Sequence, residues 1–174
     1  MITVNIWNTT FNRSGLENYG HASMQVGNDY VSWWPDRNRQ GKNVAGLAVY
    51  RAGFIRGRTL LDDIRDERSH PTVVQIPEKT AAMEGLDAAA IVSWWQKFSL
   101  SSGGIPLQGA LEAGSSYHTV KKNCSTVVAT GLRIGGGDRY SSWLDEWTVG
   151  LWTPADVRKY AESIRNGLQK KAHR

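Results

Sequence analysis

The sequence predicts an α+β fold with an antiparallel sheet, on three observations. Short, alternating, β-rich runs crowd the first half of the chain, two of them flank a turn signal, and the helical periodicities follow in series.

Taken in order, ITVNIWN (residues 2–8) alternates and carries β-branched side chains, which fits a half-buried strand. TTFNRSGLENYG (9–20) has loop composition. HASMQV and YVSWWP flank GNDY, a β-hairpin signature; with Asn28-Asp29 as the turn, Gln25 pairs with Ser32, Ser23 with Trp34 and His21 with Asp36. DRNRQGKNVAG (36–46) reads as loop and LAVYRAG (47–53) as a strand. TLLDDIRDERSH (59–70) holds a short helix stopped by Pro71, and TVVQIP a compact strand ended by Pro77. The longest helical signal is EKTAAMEGLDAAAIVSWWQKFSL (78–100), where Leu86, Ala90, Ile91, Trp94, Trp95 and Phe98 recur at three- and four-residue spacing. SSGGIPLQGALEAGSS (101–116) reads as a cleft-edge loop. A helix over about 124–133 ends at IGGG. The last helix takes Thr153 as N-cap and Pro154 as first helical residue, and runs to about Gly167.

Composition sets bounds on function. The 174 residues are read as one domain, 1–174, of a size that buries roughly 70% of its unfolded surface without staples. One cysteine forms no internal disulfide, and four scattered histidines (21, 70, 118, 173) do not have zinc-site spacing, so no metal or other cofactor is expected. The net charge of +5 is spread along the chain, which argues for a solvated face and against a nucleic-acid footprint. No signal peptide opens the sequence, and no window approaches the ~18 apolar residues of a membrane span. The expectation is a protein that is cytoplasmic in its producer and makes no stable membrane insertion. Eight tryptophans stand out. Adjacent pairs such as Trp33-Trp34 point to opposite faces of a strand, so one of each pair is expected to line a cleft and touch substrate.

Cys124, in TVKKNCSTVVATGL, is either a small core hydrophobe or a reactive thiol. Its place favours the second reading: it opens a helix after Lys121, Lys122 and Asn123, with Ser125 and Thr126 as capping residues. The helix dipole and nearby cations there favour the thiolate. A thiolate nucleophile needs an imidazole partner oriented by a third group. His21 begins a hairpin strand and is the first candidate; His118, six residues before the cysteine, is the rival. His70 and His173 sit in a charged turn and a tail. For the third group Ser32, Gln25 and Asp36 stay open, Asp36 on chemistry and Ser32 on strand position.

The residues GHASMQVGNDYVSWWP, followed about a hundred residues later by NCSTVV, resemble the circularly permuted branch of the papain-like superfamily. That branch comprises the permuted NlpC-type cysteine peptidases and the lecithin retinol acyltransferase group. Asn123-Cys124 matches the acyltransferase group's pair at the helix start, and Gly27 its glycine before the hairpin turn. Where relatives often carry a second histidine, this sequence has Ser32 or Trp33. The resemblance implies a papain-like domain with a central antiparallel sheet and the nucleophile helix packed on it. It also implies thioacyl chemistry: His21 takes the Cys124 proton and later delivers it to the leaving group, while the Cys124 N–H, with Asn123 or Gln25, stabilises the oxyanion.

Implied substrates are a protein, a peptide or peptidoglycan amide, or a lipid ester with the same dyad. The implied setting is a bacterial effector toxin delivered by a secretion system such as type VI and held in check by a cognate immunity protein. A third reading, from another class, is a binding module in which Cys124 is core and the tryptophans form a recognition patch.

Overall fold

A computed structural model describes residues 1–12, 15–18, 20–34, 42–44, 47–51, 58–101, 116–118, 123–142 and 152–172. In chain order the elements are β1 Ile2–Trp7, β2 Thr10–Asn12, β3 Gly15–Asn18, β4 His21–Val26, β5 Asp29–Ser32, β6 Lys42–Val44, β7 Leu47–Arg51, α1 Leu60–Glu67, β8 Thr72–Ile76, α2 Ala88–Ser101, β9 Ser116–His118, α3 Cys124–Ile134 and α4 Pro154–Ala172. A 3₁₀ turn, Gly137–Arg139, follows α3. The main sheet has the order β5-β4-β1-β8, with each neighbouring pair antiparallel. The expected α+β class with an antiparallel sheet is what forms.

Alternation gives this sheet two unlike faces. Ile2, Val4 and Ile6 of β1, Ala22, Met24 and Val26 of β4, Val31 and Trp33, and Val74 and Ile76 of β8 point one way into the core. Helices α2, α3 and α4 cover that face with Ile91 and Trp95, Val127, Val128 and Leu132, and Val157, Tyr160, Ala161, Ile164 and Leu168. Each fully buried aliphatic side chain contributes about 1.5–3 kcal/mol, so this layer carries the stability. The opposite face presents Asn5, Trp7, His21, Ser23, Tyr30 and Ser32, all buried, and Asp63 of α1 reaches onto it.

Four expectations need correcting. The hairpin pairs Ser23 with Ser32 and Gln25 with Tyr30, two residues away from the predicted register. Its turn is Gly27-Asn28, because Gly27 supplies the positive φ (56°) that a type II′ turn requires at its first central position. The long helical signal at 78–100 is helical only from Ala88, where Asp87 caps it by accepting from the Ala90 N–H. The preceding residues fold back instead: Lys79 N–H donates to Leu86 C=O and Leu86 N–H to Pro77 C=O. Helix α4 starts as predicted, with Thr153 and Asp156 capping each other, but continues to Ala172. Gly167 does not end it; a Cβ there would stand 1.9 Å from the Tyr140 carbonyl oxygen, so the glycine permits close packing. Finally, TTFNRSGLENYG contains the paired strands β2 and β3, and β6 lies within the expected loop 36–46. Most of the expected cleft-edge loop, 102–115, lies outside the described residues.

Candidate active site

Helix α3 begins where it does because Asn123, in extended conformation, caps it. Its Oδ1 accepts from the Thr126 N–H at 2.8 Å and from Thr126 Oγ1 at 3.0 Å, while Nδ2 donates to the Trp152 carbonyl at 3.0 Å. The cap is thus Asn123 and not Ser125 or Thr126, and its amide is committed to holding the helix end; it is not aimed at a substrate oxyanion. Cys124 becomes the first helical residue and is 5% exposed, with its backbone N–H at the positive end of the helix, where the helix supplies no acceptor of its own.

His21 opens β4 directly opposite Trp7 of β1. Gly20 makes that approach possible, with φ of 74° and no side chain; a Cβ would lie 2.4 Å from the Trp7 carbonyl. The imidazole stacks on Trp34 (centroids 4.2 Å) and lies against Trp7 (5.5 Å). Its Nε2 faces Asp63 Oδ2 at 3.1 Å and Ser32 Oγ at 3.1 Å. Cys124 is the charge that most favours a proton on this ring. With Nε2 committed to the carboxylate, Nδ1 is the nitrogen left for the sulfur.

Asp63 is fully buried and saturated with donors. Oδ2 accepts from Tyr30 Oη (2.6 Å) and Ser32 Oγ (2.8 Å) as well as facing His21, and Oδ1 accepts from Trp34 Nε1 (2.9 Å) and Arg58 Nη2 (2.7 Å). Tyr30 in turn accepts from Ser23 Oγ at 2.7 Å, and Ser23 from Asn5 Nδ2 at 3.3 Å, so donors run in one direction along the buried face toward the carboxylate.

The electrostatics follow from this arrangement. Burial works against an imidazolium at His21, yet the negative charge of Cys124 and the bonds to Asp63 and Cys124 outweigh it and push His21 from 6.5 up to about 9. Burial likewise opposes the Asp63 carboxylate, but bonds from His21, Tyr30 and Arg58 hold it well below the usual carboxylate range. Burial and the neighbouring Asp63 push the Tyr30 phenol far above its ordinary value, so it stays a neutral donor. Coupling is reciprocal, so the same contact that favours the imidazolium favours a thiolate at Cys124.

The structure therefore sets His21 and Ser32 on one carboxylate, Asp63, which the sequence reading did not single out, and the charge of Cys124 acts on the same imidazole. Asp36, the acid preferred on chemistry, lies outside the described residues. Gln25 is strapped across its own turn, donating to the carbonyls of Gly27 (2.7 Å) and Asp29 (3.1 Å). Four residues along the strand puts it about 13 Å from His21, too far for an oxyanion donor. Trp33 is not a cleft residue; it is fully buried against Trp95 and Phe98. Trp34 serves the imidazole and the carboxylate, with its N–H also reaching Ser32 Oγ at 3.0 Å. The rival His118 lies on β9 opposite Val49, and His70 is exposed. Among the described residues no group of three His, Cys, Asp or Glu is set to hold a metal ion, and no helix is long and apolar enough to cross a membrane.

Residues 56–174, more than half of the chain, match the family described as IcsB middle domain, and the chain belongs to that family. It is also similar to two toxins named multifunctional-autoprocessing repeats-in-toxin. The one from Vibrio cholerae serotype O1 is 29% identical over 85 residues, and the one from Vibrio vulnificus 28% over 83 residues, in each case 48% of this chain. The matched stretches are 2% and 1% of those very long proteins. No solved structure matches this chain. The chain is thus related to a segment of bacterial toxins.

Proposed function

We propose that this member of the IcsB middle-domain family is a thiol enzyme of bacterial toxin or effector type, in which Cys124, His21 and Asp63 form the catalytic triad of a permuted papain-like domain. What supports this reading is the buried network that seats the His21 imidazole on a saturated carboxylate, with the charge of Cys124 acting on the same ring. The Cys124 thiolate attacks an acyl carbon and the carbonyl π electrons move to its oxygen, which the Cys124 N–H at the helix end stabilises. As the intermediate collapses, the His21 imidazolium gives its proton to the leaving nitrogen and a thioacyl enzyme remains. Neutral His21 then takes a proton from water, whose oxygen displaces the sulfur and restores the thiolate. Asp63 stays ionised throughout and holds Nε2–H, which fixes the tautomer that presents Nδ1 to the sulfur.

The leading substrate is an amide of a protein, peptide or peptidoglycan stem, met after delivery to a target cell, with an immunity protein protecting the producer. A second reading, discharge of an acyl ester by the same triad, draws on the indoles of Trp7 and Trp34 that wall the imidazole and give the site an apolar surround.

The test is expression of wild type and Cys124→Ala in bacterial cytoplasm and periplasm, joined to mass spectrometry of purified protein incubated with peptides, peptidoglycan fragments and phospholipid vesicles. Toxicity that vanishes with the variant, together with an acyl adduct on Cys124 from one substrate class, is the expected result. Equal toxicity of the two proteins and no adduct would overturn the enzyme reading.

A further inference from the structure

We propose that Arg58 is a positioning residue for this site: it clamps the far oxygen of Asp63 to Asp66, and its charge sets the pH window in which Cys124 and His21 persist as an ion pair. This rests on the thiol-enzyme reading above.

Arg58 stands one residue before Thr59, the N-cap of α1. A cation at a helix N-terminus opposes the helix dipole, so its presence there is not explained by stabilising the helix. Its side chain instead folds over the first turns. Nε and Nη2 donate to Asp63 Oδ1 at 3.0 and 2.7 Å, Nη2 also reaches Asp66 Oδ2 at 2.8 Å, and the guanidinium carbon lies 4.9 Å from the Trp34 ring. Both donors converge on one oxygen, Oδ1, which leaves the other, Oδ2, to meet His21.

Charge makes the same point. The groups facing His21 among the described residues are Cys124 of α3, Asp63 of α1 and the Tyr30 phenol of β5, with Arg58 and Asp66 one contact further out. With Arg58 present, Asp63 shares its charge between guanidinium and imidazolium, so two cations serve Asp63 and the thiolate. Without it, one buried imidazolium serves two anions, and the excess negative charge favours protonating the sulfur. Contacts of 2.7 and 3.1 Å in series across one carboxylate put the guanidinium roughly 7 Å from the imidazole, close enough to shift its titration by about one to two pH units.

The experiment titrates wild type, Arg58→Met and Asp66→Asn from pH 4 to 11. It follows the His21 ring by ¹H–¹⁵N NMR, with His21→Ala to assign the signal, and the rate of Cys124 alkylation by iodoacetamide. Removing a cation makes every remaining group harder to deprotonate, so in Arg58→Met both transitions move up by about one to two pH units. A residue that only held α1 in place would, on removal, let His21 relax down toward 6.5, the opposite sign. A downward or absent shift overturns the proposal. If Arg58→Met does not fold, Asp66→Asn, at a position 30% exposed, decides. Removing that anion frees Arg58 for Asp63 and moves both transitions down, and no movement overturns the proposal. The two readings fail separately: a wild-type alkylation profile unaffected by His21→Ala removes the triad itself, whatever Arg58 does.

Discussion

Asp63→Asn removes the charge of the orienting acid while keeping its shape, and its effect follows from the geometry. The His21 Nε2 to Asp63 Oδ2 contact of 3.1 Å puts the two charge centres about 4 Å apart, worth about 4 kcal/mol at an effective dielectric of about 20, or about three pH units. His21 is held at about 9 against the penalty of burial. Without the carboxylate that value falls, by at most about three pH units because the Cys124 charge remains, and a larger share of the imidazole is neutral at neutral pH. The thiolate loses its partner, and alkylation of Cys124 at pH 7 slows by roughly ten- to a hundredfold. The new amide also chooses badly. If its oxygen stays with Arg58 and Trp34, its NH₂ confronts Tyr30, Ser32 and His21; the hydroxyls can rotate to accept, but the imidazole must accept at Nε2 and so adopts the wrong tautomer.

Stability supplies an independent check, and its sign is fixed. The folded-state value of His21 lies above the unfolded one, so its contribution is complete below about pH 6.5 and is lost as pH rises through about 9. Urea unfolding should therefore show Asp63→Asn destabilised more at pH 6 than at pH 10, where His21 is neutral in both proteins. Alkylation rates from pH 5 to 10, read by mass spectrometry, complete the assay. A variant whose alkylation profile overlays that of the wild type would refute the role of Asp63.

In Cys124→Ala the charge that most favours the imidazolium is gone, so the His21 ring should titrate well below about 9 by NMR; an unchanged value contradicts the ion pair. Asn123→Ala removes the α3 cap and the tie to Trp152, and should cost about 1–2 kcal/mol in urea unfolding together with slower Cys124 alkylation, whereas an unchanged rate would detach the cap from the site. Gly167→Ala carries a test of sign: in an open helix the change stabilises by up to about 1 kcal/mol, but here the methyl meets the Tyr140 carbonyl and the melting temperature should drop. A rise would show that the close packing is not there.

Much of the fold was legible because it rests on periodicity. Alternation in β1 and β4 places Ile2, Val4, Ile6, Ala22, Met24 and Val26 on one face with no knowledge of what covers it, and Thr153-Pro154 marks the start of α4 by local chemistry alone. Long-range contacts decide the misses. Gly167 looked like a helix stop because nothing in the sequence says that Tyr140 will press against it. The segment from Glu78 has helical spacing, yet its Leu86 bonds back to Pro77 and it leaves the helix. Alternation sends Trp33 and Trp34 to opposite faces, but burial of both depends on helices and loops distant in the chain.

The site divides the same way. Cys124 and His21 were legible because each is marked locally, one by a helix start and the other by a hairpin. Asp63 lies 42 residues beyond His21 and is marked by nothing nearby. Helical phasing in LLDDIRDE would turn the leucines inward and the acids out; in the structure Leu61 is 75% exposed while Asp63 and Glu67 are buried. That inversion has a physical cause. The apolar rule assumes that a helix covers an apolar surface, and α1 instead supplies the acid for a sheet face lined by Asn5, His21, Ser23, Tyr30 and Ser32. A buried carboxylate is tolerable only where such donors wait for it, so the hairpin's second, polar alternation was the signal that an acid must arrive from elsewhere. The three groups that the hairpin itself offers, Ser32, Gln25 and Asp36, all precede β6 and β7, whereas the acid comes from α1 beyond them.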